Sequence, residues 1–168
     1  LWKPASSAVY SAYWLMKLFE EAGLPKGVIN FVPGSGGQVG TPAFTNPNLA
    51  GVHFTGSTEV FQNMWKTISE NLKNMKYYPR IVGETGGKDF IFVHSSADVD
   101  ALVVAALRGA FEYQGQKCSA ASRMYIPKSL WKEFKGKYVA EVGKIKMGNV
   151  EDFTNFMGAV IDKGAFKS

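Results

Sequence analysis

The one cysteine among the 168 residues, Cys118, lies in Phe111-Glu112-Tyr113-Gln114-Gly115-Gln116-Lys117-Cys118-Ser119-Ala120, directly after an apolar stretch of helical periodicity. Cysteine attacks carbon as the thiolate, and a neighbouring cation such as Lys117, together with free backbone amides in a turn, favours that form. Upstream, Gly83-Glu84-Thr85-Gly86-Gly87-Lys88 puts one carboxylate at the end of a short apolar strand. The two glycines after it let the backbone turn sharply and approach another group closely. Glu84 and Cys118 therefore suit a general base and a nucleophile. The competing reading of Cys118 is a small buried apolar residue, since free cysteine is among the most buried types.

A second kind of chemistry is suggested by Phe54-Thr55-Gly56-Ser57-Thr58-Glu59. A strand, a glycine turn and a helix start present free amides and the positive end of a helix dipole to a phosphate or pyrophosphate, with Gly56 and Ser57 at the turn. Ser57 also reads as a plain N-cap, and the two roles are compatible. Gly34-Ser35-Gly36-Gly37-Gln38-Val39-Gly40 is glycine-rich but departs from the Gly-x-Gly-x-x-Gly spacing of a dinucleotide loop. It reads as a loop leading into a helix.

These residues need elements to hold them. Ser6-Ser7 is placed to cap a helix carrying Val9, Ala12, Met16 and Phe19, which Gly23-Leu24-Pro25 stops. Val28 to Val32 reads as a buried strand, residues 38–45 as a helix, and Gly51 to Phe54 as the next strand. A helix follows with Phe61, Trp65, Ile68 and Leu72 on one face, then a strand from Arg80 to Gly83 and another from Asp89 to Val93. Asp98 caps a helix carrying Val99, Leu102, Leu107 and Phe111 up to the cysteine. Arg123 to Ile126 is a strand, and Ser129 to Lys146 is the last helix, ended by Gly148. Strands alternating with helices over short loops imply an α/β chain with a mostly parallel sheet.

A hydrophobic content of 46% with 20% charged residues describes a chain able to bury a core. One cysteine and two histidines, His53 and His94, give no metal-ligand cluster. No apolar run approaches the roughly 18 residues that span a bilayer. The formal charge of +5 gathers partly in Lys132, Lys135, Lys137, Lys144 and Lys146. These alternate with Phe134, Tyr138, Val142 and Ile145 as on the solvated face of an amphipathic helix, so neither nucleic acid nor membrane is expected as a partner. Leu1-Trp2-Lys3-Pro4 reads as the end of a buried strand, and the chain as an internal piece of a longer protein, inactive alone.

The Glu-x-Gly-Gly-Lys segment followed by Gly-Gln-x-Cys, with Glu84 and Cys118 34 positions apart, resembles the aldehyde dehydrogenase family from Leu1 to Ser168. More narrowly, Gly-Glu-Thr-Gly-Gly-Lys-Asp-Phe, His94-Ser95-Ser96-Ala97-Asp98-Val99-Asp100 and the segment around Cys118 resemble the Δ1-pyrroline-5-carboxylate dehydrogenase branch. The resemblance implies part of a Rossmann-like, parallel-sheet NAD-binding domain over residues 1–86 and part of an α/β catalytic domain over 87–168. It implies Cys118 as nucleophile, Glu84 as base, and NAD held by Lys3, Gly56 and Ser57, with the serine at the pyrophosphate and the lysine at the adenosine ribose. Ser6 stands where many relatives carry a ribose-binding glutamate, which leaves NAD against NADP more open. Lys117 and Ser119 are implied to receive the substrate carboxylate, although thiolate activation and a turn are their alternative roles. The implied reaction is oxidation of glutamate γ-semialdehyde to glutamate in proline catabolism, by a homo-oligomer located in the mitochondrial matrix if the source is eukaryotic and in the cytoplasm otherwise. Another semialdehyde dehydrogenase, or an inactive relative of the same fold, is the alternative.

Overall fold

A computed structural model describes residues 1–167, which divide into two compact units, Leu1–Gly83 and the remainder from Glu84 onward. In the first, α1 (Val9–Glu21) turns Ala12 fully inward and half-buries Val9, Met16 and Phe19, as their spacing requires. The expected serine cap is absent. Ser6–Ala8 form a 3-10 turn, closed by the Ala8 N–H on the Ala5 carbonyl, and the N-cap position falls to Ala8 with no side-chain bond. Gly23, at φ 87°, ends the helix in the left-handed conformation that glycine adopts without strain.

The strand expected from Val28 to Val32 is reduced to a single parallel bridge, Trp2 with Phe31. Trp2 donates to the Asn30 carbonyl and accepts from Val32 N–H, at 2.8 and 2.9 Å. A turn that uses Gly27 at φ 86° and a Val28 N–H bond to the Pro25 carbonyl takes up the start of the run, and Val28 and Leu1 stay exposed. Helix α2 (Gly36–Phe44) is capped by Ser35, whose hydroxyl accepts from Gln38 N–H.

Strand β1 (Gly51–Thr55) lies beside β2 (Arg80–Glu84), start next to start, with Arg80 N–H on the Ala50 carbonyl. The connection between them contains α3 (Thr58–Asn71) and a 3-10 turn, Leu72–Asn74. Ile68 is buried, but Trp65 and Leu72 are exposed, and Met64 shares the inward side with Phe61 instead. The Phe54 and Phe61 rings stack at 6.0 Å, and Phe61 lies so close to Gly83 that a Cβ there would sit 2.3 Å from the ring.

In the second unit, β3 (Asp89–Phe92) and β4 (Ala121–Tyr125) pair in parallel, from Asp89 with Ala121 to Phe92 with Tyr125. The crossover is α4 (Val99–Phe111), started by Asp98, whose carboxylate accepts from Ala101 N–H at 2.8 Å. Val103 and Ala106 of α4 and Phe134 of α5 (Lys128–Val142) form the buried core, with Ile91, Val99, Leu102, Met124, Ile126 and Tyr138 packed around it. Helix α5 ends four residues before the expected Lys146. Gly143 closes on the Val139 carbonyl, and Ile145 N–H bonds to Val142 in a turn. Beyond it lie a parallel bridge, Met147 with Met157, and a short helix α6 (Lys163–Lys167), neither visible as periodicity. Among the described residues no helix is long and apolar enough to cross a membrane.

Candidate active site

The parallel pairing of β3 with β4 sets the second unit's site. Because Asp89 and Ala121 are partners at the strand starts, the segments entering them, 84–88 and 118–120, arrive side by side. Gly87 makes the contact. A Cβ on it would lie 2.7 Å from the Cys118 carbonyl oxygen and 3.1 Å from an Asp89 carboxylate oxygen. The glycine is needed here for its missing side chain, since only the backbone fits. The close approach expected of the Gly-Gly pair thus falls on the cysteine itself.

Cys118 is exposed. It occupies, with Ser119, the centre of a turn closed by the Ala120 N–H on the Lys117 carbonyl at 3.2 Å. In this structure the thiol lies at the surface and not in the core of the second unit. Glu84, at the end of β2, is exposed as well. Among the described residues no hydrogen bond or ion pair engages the side chains of Glu84, Cys118 or Ser119, so all three are free to meet a ligand.

The Lys117 ammonium has a partner the sequence reading missed. Glu112, at the end of α4, accepts from Lys117 Nζ at 2.6 Å and from Arg108 Nη2 at 2.6 Å, and Lys117 lies 5.2 Å over the Tyr113 ring. The four-residue spacing of Arg108 and Glu112 on one helix was the available signal. The Lys117 hydrogen bond first, and the Arg108 one second, hold the Glu112 carboxyl at about 2, below its ordinary 4.5. A depressed carboxyl adds stability that is present above its unfolded value and lost as pH falls through its folded one. In the intact protein, Glu112→Gln is expected to remove part of the drop in Tm between pH 4.5 and 2. The pair is solvent-exposed and the effect correspondingly small. Thermal melts across that window check it, and equal slopes in variant and wild type would exclude the clamp.

Between Glu112 and Lys117 the backbone is left-handed at three successive residues, Tyr113 at φ 54°, Gln114 at φ 59° and Gly115 at φ 69°. Two of the three are not glycine, a conformation that needs support from outside the turn.

In the first unit, Ser57 caps α3, its hydroxyl oxygen accepting from Val60 N–H at 3.3 Å. Gly56 precedes it with no room for a side chain, as a Cβ would lie 2.4 Å from the Phe54 ring. The exposed turn and the first amides of a 14-residue helix fit an anionic ligand group. Lys3 is half-buried, with its ammonium on the Pro4 carbonyl at 2.5 Å. The glycine-rich loop at residues 34–40 contributes the Ser35-capped start of α2. Among the described residues no cluster of three or more His, Cys, Asp or Glu could hold a metal ion.

The model of the aldehyde dehydrogenase family matches residues 1–168. The chain is 57% identical over 170 residues to the mitochondrial delta-1-pyrroline-5-carboxylate dehydrogenase of Dictyostelium discoideum and 47% identical over 167 residues to that of Homo sapiens. These alignments take in 100% and 99% of the chain but 30% of each relative, so the chain spans about a third of the length of the proteins it matches. A crystal structure of the delta-pyrroline-5-carboxylate dehydrogenase from Mycobacterium tuberculosis bound with NAD superposes with a TM-score of 0.93 at 48% identity, covering 99% of this chain and 31% of that one. With the model matched over its whole length and such relatives along all its elements, the chain belongs to the aldehyde dehydrogenase family and has that family's α/β fold.

Proposed function

We propose that the intact protein oxidises L-glutamate γ-semialdehyde to L-glutamate with NAD, through a thioester on Cys118. The approach of Gly87 to the Cys118 carbonyl carries this reading, because it brings the segment bearing a free carboxylate against the turn bearing a free thiol. The names of the relatives supply the substrate, and the NAD-bound neighbour supplies the cofactor.

In this reading Cys118 Sγ forms a bond to the aldehyde carbon, and the carbonyl oxygen takes the negative charge. A bound NAD would supply the hydride acceptor for that carbon. Collapse of the oxyanion leaves a thioester, which Glu84 helps to hydrolyse by taking a proton from water. The carboxylic acid then leaves and the thiol is restored. Gly56, Ser57 and the start of α3 would hold the pyrophosphate, with Lys3 at the adenosine ribose. Residues 1–86 would then belong to the NAD-binding domain and 87–168 to the catalytic domain. Lys117 has three N–H donors, of which Glu112 takes one, so a substrate carboxylate can share the ammonium while Ser119 adds a hydroxyl donor. Among the described residues the Glu84 side chain is exposed. Assembly as a homo-oligomer, and the mitochondrial location carried in the relatives' names, complete the proposal.

The test is steady-state NADH formation by the intact protein. Glutamate γ-semialdehyde is expected to exceed a simple alkyl aldehyde of similar length in kcat/KM by about tenfold or more, since a site built to bind a polar group rejects analogues lacking it. Equal kcat/KM for the two would overturn the assigned substrate.

A further inference from the structure

Two glutamines of the nucleophile turn reach the same distant backbone. Gln114 Nε2 donates to the Ala159 carbonyl at 2.8 Å, and Gln116 Oε1 accepts from Ile161 N–H at 3.0 Å, each bond joining positions 45 apart in the chain. The spacing matches on both sides. Residues two apart in the turn meet backbone groups two apart in the 159–161 segment, so a pair of side chains takes the place that a neighbouring strand would fill.

The receiving segment is itself anchored. The Met147–Met157 bridge, the Gly148 N–H on the Met157 carbonyl, and the Phe156 and Met157 N–H groups on the Lys146 carbonyl tie it down just upstream. On the other side stands the left-handed run of Tyr113, Gln114 and Gly115. Non-glycine residues persist in that region only where surroundings over-determine them, and the bond to Ala159 is such a constraint at Gln114. Gln116 binds both ways, because its Nε2 also donates to the Tyr113 carbonyl at 3.2 Å and its backbone N–H to the same oxygen at 3.0 Å. Cys118 is the second residue after it.

The geometry points to Gln114 and Gln116 as positioning residues for Cys118, locking the left-handed turn to the 159–161 backbone and so fixing where the thiol stands. They touch no reacting atom. The inference rests on Cys118 being the nucleophile.

The backbone partners dictate a polarity. A carbonyl can only accept and an N–H can only donate, so position 114 requires a donor and position 116 an acceptor. In the intact protein, Gln114→Lys keeps the donor toward Ala159 and Gln116→Glu keeps the acceptor toward Ile161, giving up a donor to the Tyr113 carbonyl that the residue 116 backbone N–H still supplies, while Gln114→Glu and Gln116→Lys reverse the two long-range bonds. Rapid mixing with NAD and aldehyde is expected to show the NADH burst slowed about tenfold or more in the reversed variants, with KM for NAD little changed, because a small misplacement of a reacting group is costly in rate. The polarity-keeping variants should recover most of that loss. Where a reversed side chain prevents folding, Gln114→Ala and Gln116→Ala take its place with the same expected loss. Equal burst rates for Lys and Glu at each position, in proteins of matching Tm, would overturn the positioning role. Cys118→Ser run in parallel separates the two failures: a burst surviving in it overturns the nucleophile itself, and the positioning role with it.

Discussion

Cys118→Ser in the intact protein is expected to abolish NADH formation down to the first turnover. Among the described residues no imidazole hydrogen-bonds to the turn that presents residue 118, and the Lys117 ammonium there is paired with Glu112. A hydroxyl without a dedicated base is a poor nucleophile, whereas a thiol supplies thiolate from its own ionisation. Rapid mixing at enzyme concentrations comparable to NAD gives the readout. An NADH burst in the serine variant would remove Cys118 from the reaction. Because residue 118 is exposed and its neighbours accept the small change from sulfur to oxygen, the melting temperature should stay close to that of the wild type.

Glu84→Gln is expected to behave differently. If Glu84 activates the hydrolytic water, acylation and hydride transfer still occur once, giving a burst near one equivalent of NADH per site followed by slow turnover. Loss of a general base typically slows the step it serves by about 10² to 10⁴. The variant should therefore accumulate a covalent adduct on Cys118, seen as an added acyl mass on the intact protein. If the burst is lost while NAD still binds, Glu84 acts before the thioester, on the thiol, and its assignment to hydrolysis fails. The geometry allows either order, because Gly87 brings the Glu84 segment against the cysteine turn rather than against one face of it.

The sequence exposed those features that depend on neighbours a few positions away. Ser57 and Asp98 at their N-caps, Ala12 on the inward side of α1, and the alternation of strand and helix follow from local hydrogen bonding and a 3.6-residue period. Gly87 was legible in kind, as a close approach, although its partner was not. What escaped the reading depends on contacts distant in the chain. Val28 to Val32 has the composition of a strand, but a strand also requires a neighbour along its length, and Trp2 supplies only one bridge. Tyr113 and Gln114 carry no local mark of left-handed backbone, because the bond that supports it comes from Ala159. Ser6 and Ser7 had the right composition for a cap but lie in a 3-10 turn. Of the proposed site, Glu84 and Cys118 stand out as candidates by residue type, while the bonds of Gln114 and Gln116 to residues 45 positions away leave no local trace.

The parallel pairing of β3 and β4 has a consequence for folding as well as for geometry. Bringing Gly87 against Cys118 closes a loop of 31 residues, an entropic requirement of about 3 kcal/mol by the logarithmic loop-length dependence. That requirement is met by apolar burial between α4 and α5 and by the ladder from Asp89–Ala121 to Phe92–Tyr125. Neither the Glu84 carboxylate nor the Cys118 thiol takes part in those contacts. Groups freed from any part in assembly can keep their charge and their hydrogen-bonding capacity for a visiting molecule, and they can be exchanged one at a time without the chain losing its way to the folded state.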